Sequence, residues 1–270
     1  MFVLLFFYLF IFISFLFVGS FLGVVVDRLY RGEQFIRGRS HCDFCNHELS
    51  VYDLIPVFSF LSNNGKCRYC KKKLSPTLLF FELFTGLTFT AFAYYSFLLW
   101  LPLISIIFGF LILLFLLIIF FADLKYSVIF NYSYIILFGF YAVGFLLYSV
   151  GINFGAFNII FMDLASHLIS AVWLFSFFAL LYYGSKKKAM GDGDMYLAGA
   201  LGLYLNFSQS LVMWSVAFLT GAFVGVILLL GKKKKIKQAI PFGPFLVIGF
   251  VFAFVYGSSV VASYLQLLGN

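Results

Sequence analysis

Long apolar runs separated by short polar breaks are the feature that most constrains what this sequence can fold into. A helix needs about 20 mostly apolar residues to cross the hydrocarbon core of a bilayer. Seven runs approach or exceed that length and an eighth is shorter; they cover residues 2–26, 78–100, 103–122, 132–150, 164–183, 195–206, 209–230 and 244–267. With 64% hydrophobic and 10% charged residues, the composition excludes an ordinary soluble globule. The sequence predicts an all-α polytopic membrane protein with about eight transmembrane helices, surrounded by lipid.

The positive charges predict the orientation of this protein. If all eight runs cross the membrane, the 18 Lys and Arg residues fall in segments on one side, namely 27–77, 123–131, 184–194 and 231–243. The positive-inside bias places these segments in the cytoplasm and both termini outside. If 195–206 did not cross, Lys232–Lys237 would lie outside, which is the main reason for counting that run. Charges grouped in this way explain the net charge of +8 without a nucleic-acid partner.

The order of runs and breaks predicts three parts of the chain. Residues 1–26 form a first transmembrane helix, because that run lacks a basic start and is too long for an ordinary signal peptide. Residues 27–77 form a small cytoplasmic domain between the first two membrane helices. Residues 78–270 form a transmembrane core.

All four cysteines lie in the predicted cytoplasmic domain, as two Cys-x2-Cys pairs separated by 21 residues: Cys42, Cys45, Cys67 and Cys70. Two such pairs offer four thiolates to a tetrahedral structural zinc. A small insertion without a large core also benefits from a metal clip. The alternative is free or redox-active thiols, and His41 or His47 would be a substitute ligand. Disulfides are disfavoured because the cytoplasm keeps thiols reduced.

Five of the ten acidic residues lie in or beside apolar helices, where ionisable groups are costly and commonly functional: Glu82, Asp123, Asp163, Asp192 and Asp194. Asp163 precedes a helix and is interpreted as its cap or as a carboxylate solvated at the membrane interface. Asp123 and Asp194 are predicted at the same membrane face, where they can form a catalytic pair sharing one proton. One member would activate water while the other protonates a peptide carbonyl oxygen.

Short motifs along nearly the whole chain match one known family. They are Gly19–Leu22, Arg28–Leu29, Arg39–Cys45, Tyr52–Asp53, Ile55–Pro56, Glu82–Leu83, Thr85–Gly86 and Pro241–Phe245, together with Gly191-Asp192-Gly193-Asp194. With these motifs the chain resembles the bacterial type IV prepilin peptidases, which are aspartic peptidases with a Gly-x-Gly-Asp motif.

The resemblance implies that the catalytic residues are Asp123 and Asp194. The first precedes an element matched by Ile129–Asn131, with Phe130 where the family has proline. The second ends the Gly-x-Gly-Asp motif. Two positions depart from the family pattern: Asp192 makes the x position acidic, and Tyr196 stands where lysine is usual. Asp192 is therefore a candidate third carboxylate.

The resemblance also implies a function. Family members sit in the bacterial inner membrane and cleave the basic leader of type IV prepilins or pseudopilins after a glycine, at the cytoplasmic side. Many then N-methylate the new N-terminus with S-adenosylmethionine, an activity associated with the cysteine-bearing domain. The alternatives are a peptidase without methyltransferase activity, or an ion-coupled transporter or assembly factor. The sequence leaves the particular prepilin, the methyl-donor site and the oligomeric state open.

Overall fold

A computed structural model of the chain describes residues 2–34, 38–188, 190–231 and 240–267. Its helices are α1 Phe2–Arg31, α2 Phe58–Ser62, α3 Thr77–Leu98, α4 Leu103–Tyr126, α5 Asn131–Ser149, α6 Ile159–Met162, α7 Leu164–Gly184, α8 Asp192–Gly202, α9 Phe207–Leu230 and α10 Gly243–Leu267. In these ranges extended pairing is limited to two isolated bridges. Seven of the described helices, α1, α3, α4, α5, α7, α9 and α10, are long and apolar enough to cross a membrane. The prediction of an all-α polytopic membrane protein is confirmed.

The chain divides into two compact units between Leu101 and Pro102. Unit 1 contains α1, α2 and α3, and unit 2 contains α4 to α10. The functional partition into residues 1–26, 27–77 and 78–270 stays a prediction.

In unit 1, α1 and α3 pack closely along their membrane-spanning parts. A Cβ atom at Gly19 would lie 2.8 Å from Glu82 Cα, so this glycine permits the close approach of the two backbones. Farther along the helices, the rings of Phe15 and Phe89 stack with centroids 4.3 Å apart. With 30 residues, α1 is about 45 Å long and exceeds the ~30 Å hydrocarbon core. Its last turns therefore extend beyond the bilayer, where Arg28 donates to backbone oxygens of the following segment.

In unit 2, the helices run antiparallel and create two distinct ends. The Asp123 side chain near the end of α4 contacts Gly243, the first residue of α10. At the opposite end, Gln209 near the start of α9 donates to Ser258 near the end of α10, at 3.2 Å. We call the end of unit 2 that contains Asp123 the carboxylate end. Helices α4, α7 and α9 finish there, and α5, α8 and α10 begin there.

The run predicted as a sixth crossing at 195–206 forms α8, whose 11 residues are fewer than a spanning helix normally needs. It lies antiparallel against α7: a Cβ atom at Gly199 would meet Phe175, and one at Gly202 would meet Ala171. The amide of Phe207 then donates to Ser166 Oγ at the start of α7, at 3.1 Å. The short helix and the turn after it therefore return the chain to the end of unit 2 where α7 begins.

The described lysines of unit 2 all lie at the carboxylate end. Lys125 is in the last turn of α4, and Lys186–Lys188 follow α7. Lys232–Lys237, which the sequence also predicts on this side, lie outside the described residues. At the opposite end, Asp163 accepts a hydrogen bond from the Ser166 amide at 3.2 Å, so its predicted role as the cap of α7 is confirmed.

Candidate active site

Asp123 lies in the last turn of α4, and only 5% of its surface is exposed. The residues before it are large and apolar, and most of them are buried in unit 2: Leu116, Leu117, Ile119, Phe120, Phe121 and Ala122. Ser127 adopts a left-handed conformation and its amide donates to the Asp123 carbonyl at 2.8 Å, which ends the helix. The sequence thus buries a carboxylate at a helix C-terminus, where the helix dipole disfavours negative charge.

Gly243 provides the compensating contact for Asp123. Its amide, at the N-terminus of α10, donates to Asp123 Oδ2 at 2.8 Å. This N–H has no partner inside its own helix, and the positive end of the α10 dipole favours an anion there. A Cβ atom at position 243 would lie 2.7 Å from Asp123 Oδ2, so only glycine permits this approach without a shift. Pro244 fits the first turn of the helix, where a missing N–H costs little.

Asp194 is the third residue of α8 and is 6% exposed. Gly191, the residue that caps this helix, donates its backbone N–H to the Asp194 carboxylate, as in half of a capping box. Gly193 permits close packing of this turn, because a Cβ atom there would lie 2.7 Å from Ile129 Cβ. The start of α8 therefore packs against the segment that links α4 to α5.

The two carboxylates interact electrostatically, although 71 positions separate Asp123 from Asp194 in the chain. Each is nearly buried, and each accepts a backbone N–H at a helix N-terminus. Two adjacent carboxylates of this kind can hold one proton between them and act as acid and base. The structure thus places both carboxylates at the same end of unit 2, while their pairing and their catalytic roles stay a prediction.

Asp192 differs from the buried pair in exposure and in its contacts. It is solvent-exposed, its Oδ1 atom accepts the Gly193 amide at 3.0 Å, and its charge interacts with Asp194. Next to it, Tyr196 stacks on Tyr134 of α5 with ring centroids 4.9 Å apart. The third carboxylate is therefore close enough to influence the pair and lies on its solvent side.

In unit 1, the four cysteines converge into one cluster, with all sulfur atoms within 4.8 Å of one another. Cys42 Sγ and Cys70 Sγ are 3.9 Å apart, close to the roughly 3.8 Å edge expected for a tetrahedron of about 2.3 Å zinc–sulfur bonds. The histidines considered as substitutes have other contacts, since His47 stacks on Tyr69 and His41 lies near the Arg39 carbonyl. The cluster fits a small zinc-binding domain.

Each pair of cysteines sits on a turn of the same design. The amide of Cys42 donates to the carbonyl of His47 at 3.0 Å, and that of Cys67 donates to the carbonyl of Lys72 at 2.9 Å. Both turns contain a left-handed residue, Asn46 or Lys71, directly after the second cysteine. The local sequence thus preforms each half of the ligand set before the halves meet.

The surroundings shift the pKa values of ionisable groups in this domain in different directions. Burial raises the pKa of Cys42 to about 11. Burial also opposes ionisation of Cys67, but the amides of Cys70 and Tyr69 point at its sulfur and lower its pKa to about 7. At Asp53, burial is likewise outweighed by hydrogen bonds from Ser50, which lower the pKa of that carboxyl.

Comparison with known proteins finds a matching family model within each unit. The bacterial peptidase A24 N-terminal domain matches residues 13–97, and the type IV leader peptidase family matches residues 110–226. A prepilin leader peptidase/N-methyltransferase of Pectobacterium carotovorum subsp. carotovorum is 30% identical over 89% of this chain and 90% of its own length. The chain belongs to the type IV leader peptidase family.

Other members of the type IV leader peptidase family with the same name are similar over most of the chain. The protein of Bacillus subtilis is 27% identical over 95% of this chain and 97% of its own length. That of Myxococcus xanthus is 32% identical over 83% of this chain, but the match spans only 64% of the relative. No solved structure matches the chain.

Two contacts in this leader peptidase site were missed by sequence reasoning. The amide of Gly243 contacts Asp123 across 120 positions, and Ile129 contacts the Gly193 turn. The signal for the first was present in Gly243-Pro244, a glycine followed by a proline that fits only the start of a helix. Nothing in the sequence alone states which carboxylate that helix start approaches.

Proposed function

We propose that this member of the type IV leader peptidase family cleaves the short basic leader from type IV prepilins or pseudopilins after a glycine. Asp123 and Asp194 are the catalytic pair of this proposal. The observation that carries it is the placement of these two buried carboxylates, from α4 and α8, at one end of unit 2, where their charges interact. The names of the relatives provide the substrate class.

The geometry of the pair suits hydrolysis of a peptide bond by activated water. The ionised carboxylate takes a proton from water as the oxygen attacks the peptide carbonyl, and the protonated carboxylate donates to the carbonyl oxygen. The tetrahedral species then collapses as the leaving nitrogen receives a proton. The Gly243 amide holds one oxygen of Asp123, so the rest of that carboxylate keeps a fixed orientation toward the reaction.

The charges of unit 2 support a cytoplasmic carboxylate end in the inner membrane. The described lysines of this unit lie there, as the positive-inside bias requires. The return of the chain along α8 supports the predicted even number of crossings, with both termini outside. A substrate bond just beyond the apolar helix of a prepilin would then reach the aspartates without entering the lipid core.

The cysteine cluster holds structural zinc in this proposal. The ligands are Cys42, Cys45, Cys67 and Cys70, which support tetrahedral coordination by their spacing. Because the protein would provide all four ligands, the metal has no open position for substrate. Its role is to fold the small domain.

We further propose that the chain N-methylates the new N-terminus, as the names of its relatives state for those proteins. S-adenosylmethionine would provide the methyl group when bound. Unit 1 has a cavity of about 200 Å³ whose lining includes Asp27, Arg28, Asp53, Phe60 and Glu82. Carboxylates suit the cationic sulfonium and ammonium groups, Arg28 suits a carboxylate, and Phe60 offers a face to adenine.

Product masses test both activities in one experiment. The full chain in liposomes should convert a prepilin into one product shortened at the glycine, and with S-adenosylmethionine that product should gain one methyl group. Normal cleavage by Asp123→Asn or Asp194→Asn would contradict the catalytic pair. A product that is cleaved but never methylated would leave a peptidase alone. Calorimetric binding of S-adenosylmethionine, weakened by Asp27→Asn, tests the cavity without any turnover.

A further inference from the structure

The four most exposed large apolar side chains in the described part of the small domain lie between residues 51 and 61. Val51 and Tyr52 lie in a 3₁₀ turn and are 76% and 73% exposed, while Phe58 and Leu61 of α2 are 62% and 61% exposed. We call these four residues the apolar rim. A group of this size on a small domain is typical of an interaction surface and is unfavourable in water.

A buried contact fixes the height of the apolar rim along the membrane helices. The amide of Val57, which directly precedes α2, donates to Glu82 Oε2 at 2.7 Å. Glu82 is five residues after Thr77, the first residue of α3, so at 1.5 Å per residue it lies about 8 Å along that helix. Ser20 of α1 also donates to the Glu82 carboxylate. The middle of the segment that carries the rim therefore lies beside the membrane-spanning part of unit 1.

The backbone at Val57 is strained, and the contact with Glu82 holds it in place. Val57 has φ 62° and ψ −51°, and the Phe58 amide donates to the Pro56 carbonyl at 2.5 Å. This is a γ-turn of the rare, strained type, which a β-branched residue adopts only when its surroundings impose it. Glu82 itself is only 3% exposed. The position of α2 against α3 is thus part of the fold of unit 1.

The spanning helices also expose apolar side chains near the level of Glu82, where the rim segment is attached. Leu78 and Phe80 in the first turn of α3 are exposed, as is Phe21 of α1 near the level of Ser20. Such side chains on spanning helices face lipid. We propose that the apolar rim inserts into the boundary between lipid headgroups and acyl chains, so that the small domain rests on the membrane. A tyrosine and short apolar helices are common at that depth.

Photo-crosslinking tests this depth and does not depend on peptidase activity. The full chain is made with p-benzoylphenylalanine in place of Phe58, reconstituted in phospholipid nanodiscs and irradiated. The matched control carries the same group in place of Phe44, an exposed aromatic residue of the same domain. Phe44 follows Asp43, which pairs with Arg31 at the last residue of α1, 11 residues beyond Ser20. We expect lipid adducts at position 58 in several-fold excess over position 44.

Three outcomes would overturn the proposal. They are equal lipid adducts at the two positions, adducts at position 58 only with other parts of the chain, and adducts only with a second copy or an added prepilin.

A second variant, Phe58→Ser with Leu61→Ser, guards against misfolding of the probe, with retained zinc as the measure of a folded domain. In this variant, hydrogen exchange of residues 51–62 should become faster than in the wild-type chain when both are held in nanodiscs. Unchanged exchange in nanodiscs would also count against insertion.

Discussion

The cysteine cluster of unit 1 and the aspartate pair of unit 2 bring reactive groups together in opposite ways. All four cysteines come from 29 consecutive residues, and each half of the set is shaped by hydrogen bonds within its own turn. The two aspartates come from helices far apart in the chain, and each is held by a helix start that it does not share with the other. The first site depends on local geometry, whereas the second depends on how the helices pack.

This difference predicts which changes each site tolerates. A local site should fail when a ligand is lost and should tolerate changes in the packing of distant helices. A site made by packing should fail both when a carboxylate is lost and when the helix starts around it move.

Loss of a catalytic carboxylate should have the largest effect. Asp194→Asn keeps the shape of the side chain but removes the group that exchanges a proton, so cleavage should fall by about 10²–10⁴-fold. Zinc content should stay at the wild-type level, because the cysteines lie in the other unit. Quantitative mass spectrometry of the prepilin product and metal analysis of the same sample provide the two measurements. Wild-type cleavage by this variant would remove Asp194 from the pair.

Loss of one cysteine should unfold the small domain and leave unit 2 intact. Cys67→Ser removes a buried ligand, and a domain of this size depends on its metal for folding. We expect loss of stoichiometric zinc and rapid hydrogen exchange in residues 38–74, with slow exchange retained in α4 and α10. Methylation should be lost while part of the cleavage activity remains. Retention of zinc by Cys67→Ser would contradict the four-cysteine site.

A methyl group at Gly243 should damage the site made by packing. In Gly243→Ala the new Cβ atom would lie 2.7 Å from Asp123 Oδ2 and must displace either the carboxylate or the start of α10. A displacement of about 1 Å can lower the rate by about 10²-fold. The control is Gly139→Ala in α5, where a Cβ atom meets nothing within 4 Å. Equal activity of the two variants would show that the Gly243 contact does not position Asp123.

Neutralising the exposed third carboxylate should have the smallest effect. Asp192 faces solvent, where the interaction between charges is weakened, so Asp192→Asn should change the cleavage rate by no more than about fivefold. The measurement is the initial rate of cleavage beside that of Asp194→Asn. A loss as large as that of Asp194→Asn would make Asp192 a member of the catalytic set.

The sequence predicted those features that depend on local pattern. Apolar runs located the long helices, and the Cys-x2-Cys spacing located the cysteine cluster, because both signals lie within short stretches of chain. Charge grouping and the family motif selected Asp123 and Asp194. The contact between Asp123 and Gly243, the strained turn at Val57 and its hydrogen bond to Glu82 could not be predicted, since each depends on the packing of segments distant in sequence.

The apolar pattern predicted that the helix in the run 195–206 is short, but it could not predict the path of that helix across unit 2. The run 195–206 suggested a weak crossing helix, and the structure shows an 11-residue helix followed by a buried turn at Leu203–Leu205. Gly199 and Gly202 allow this helix to lie directly on α7. A short helix can therefore carry the chain across unit 2, because it is enclosed by other helices for most of its length.

The most direct test of the central claim is a double-mutant cycle on the two aspartates, measured as the initial rate of prepilin cleavage in liposomes. If Asp123 and Asp194 act as one unit, Asp123→Asn, Asp194→Asn and the double variant should all lose a similar amount of activity, because the first substitution already disables the pair. Losses that multiply in the double variant, or substantial cleavage by either single variant, would contradict a shared catalytic site.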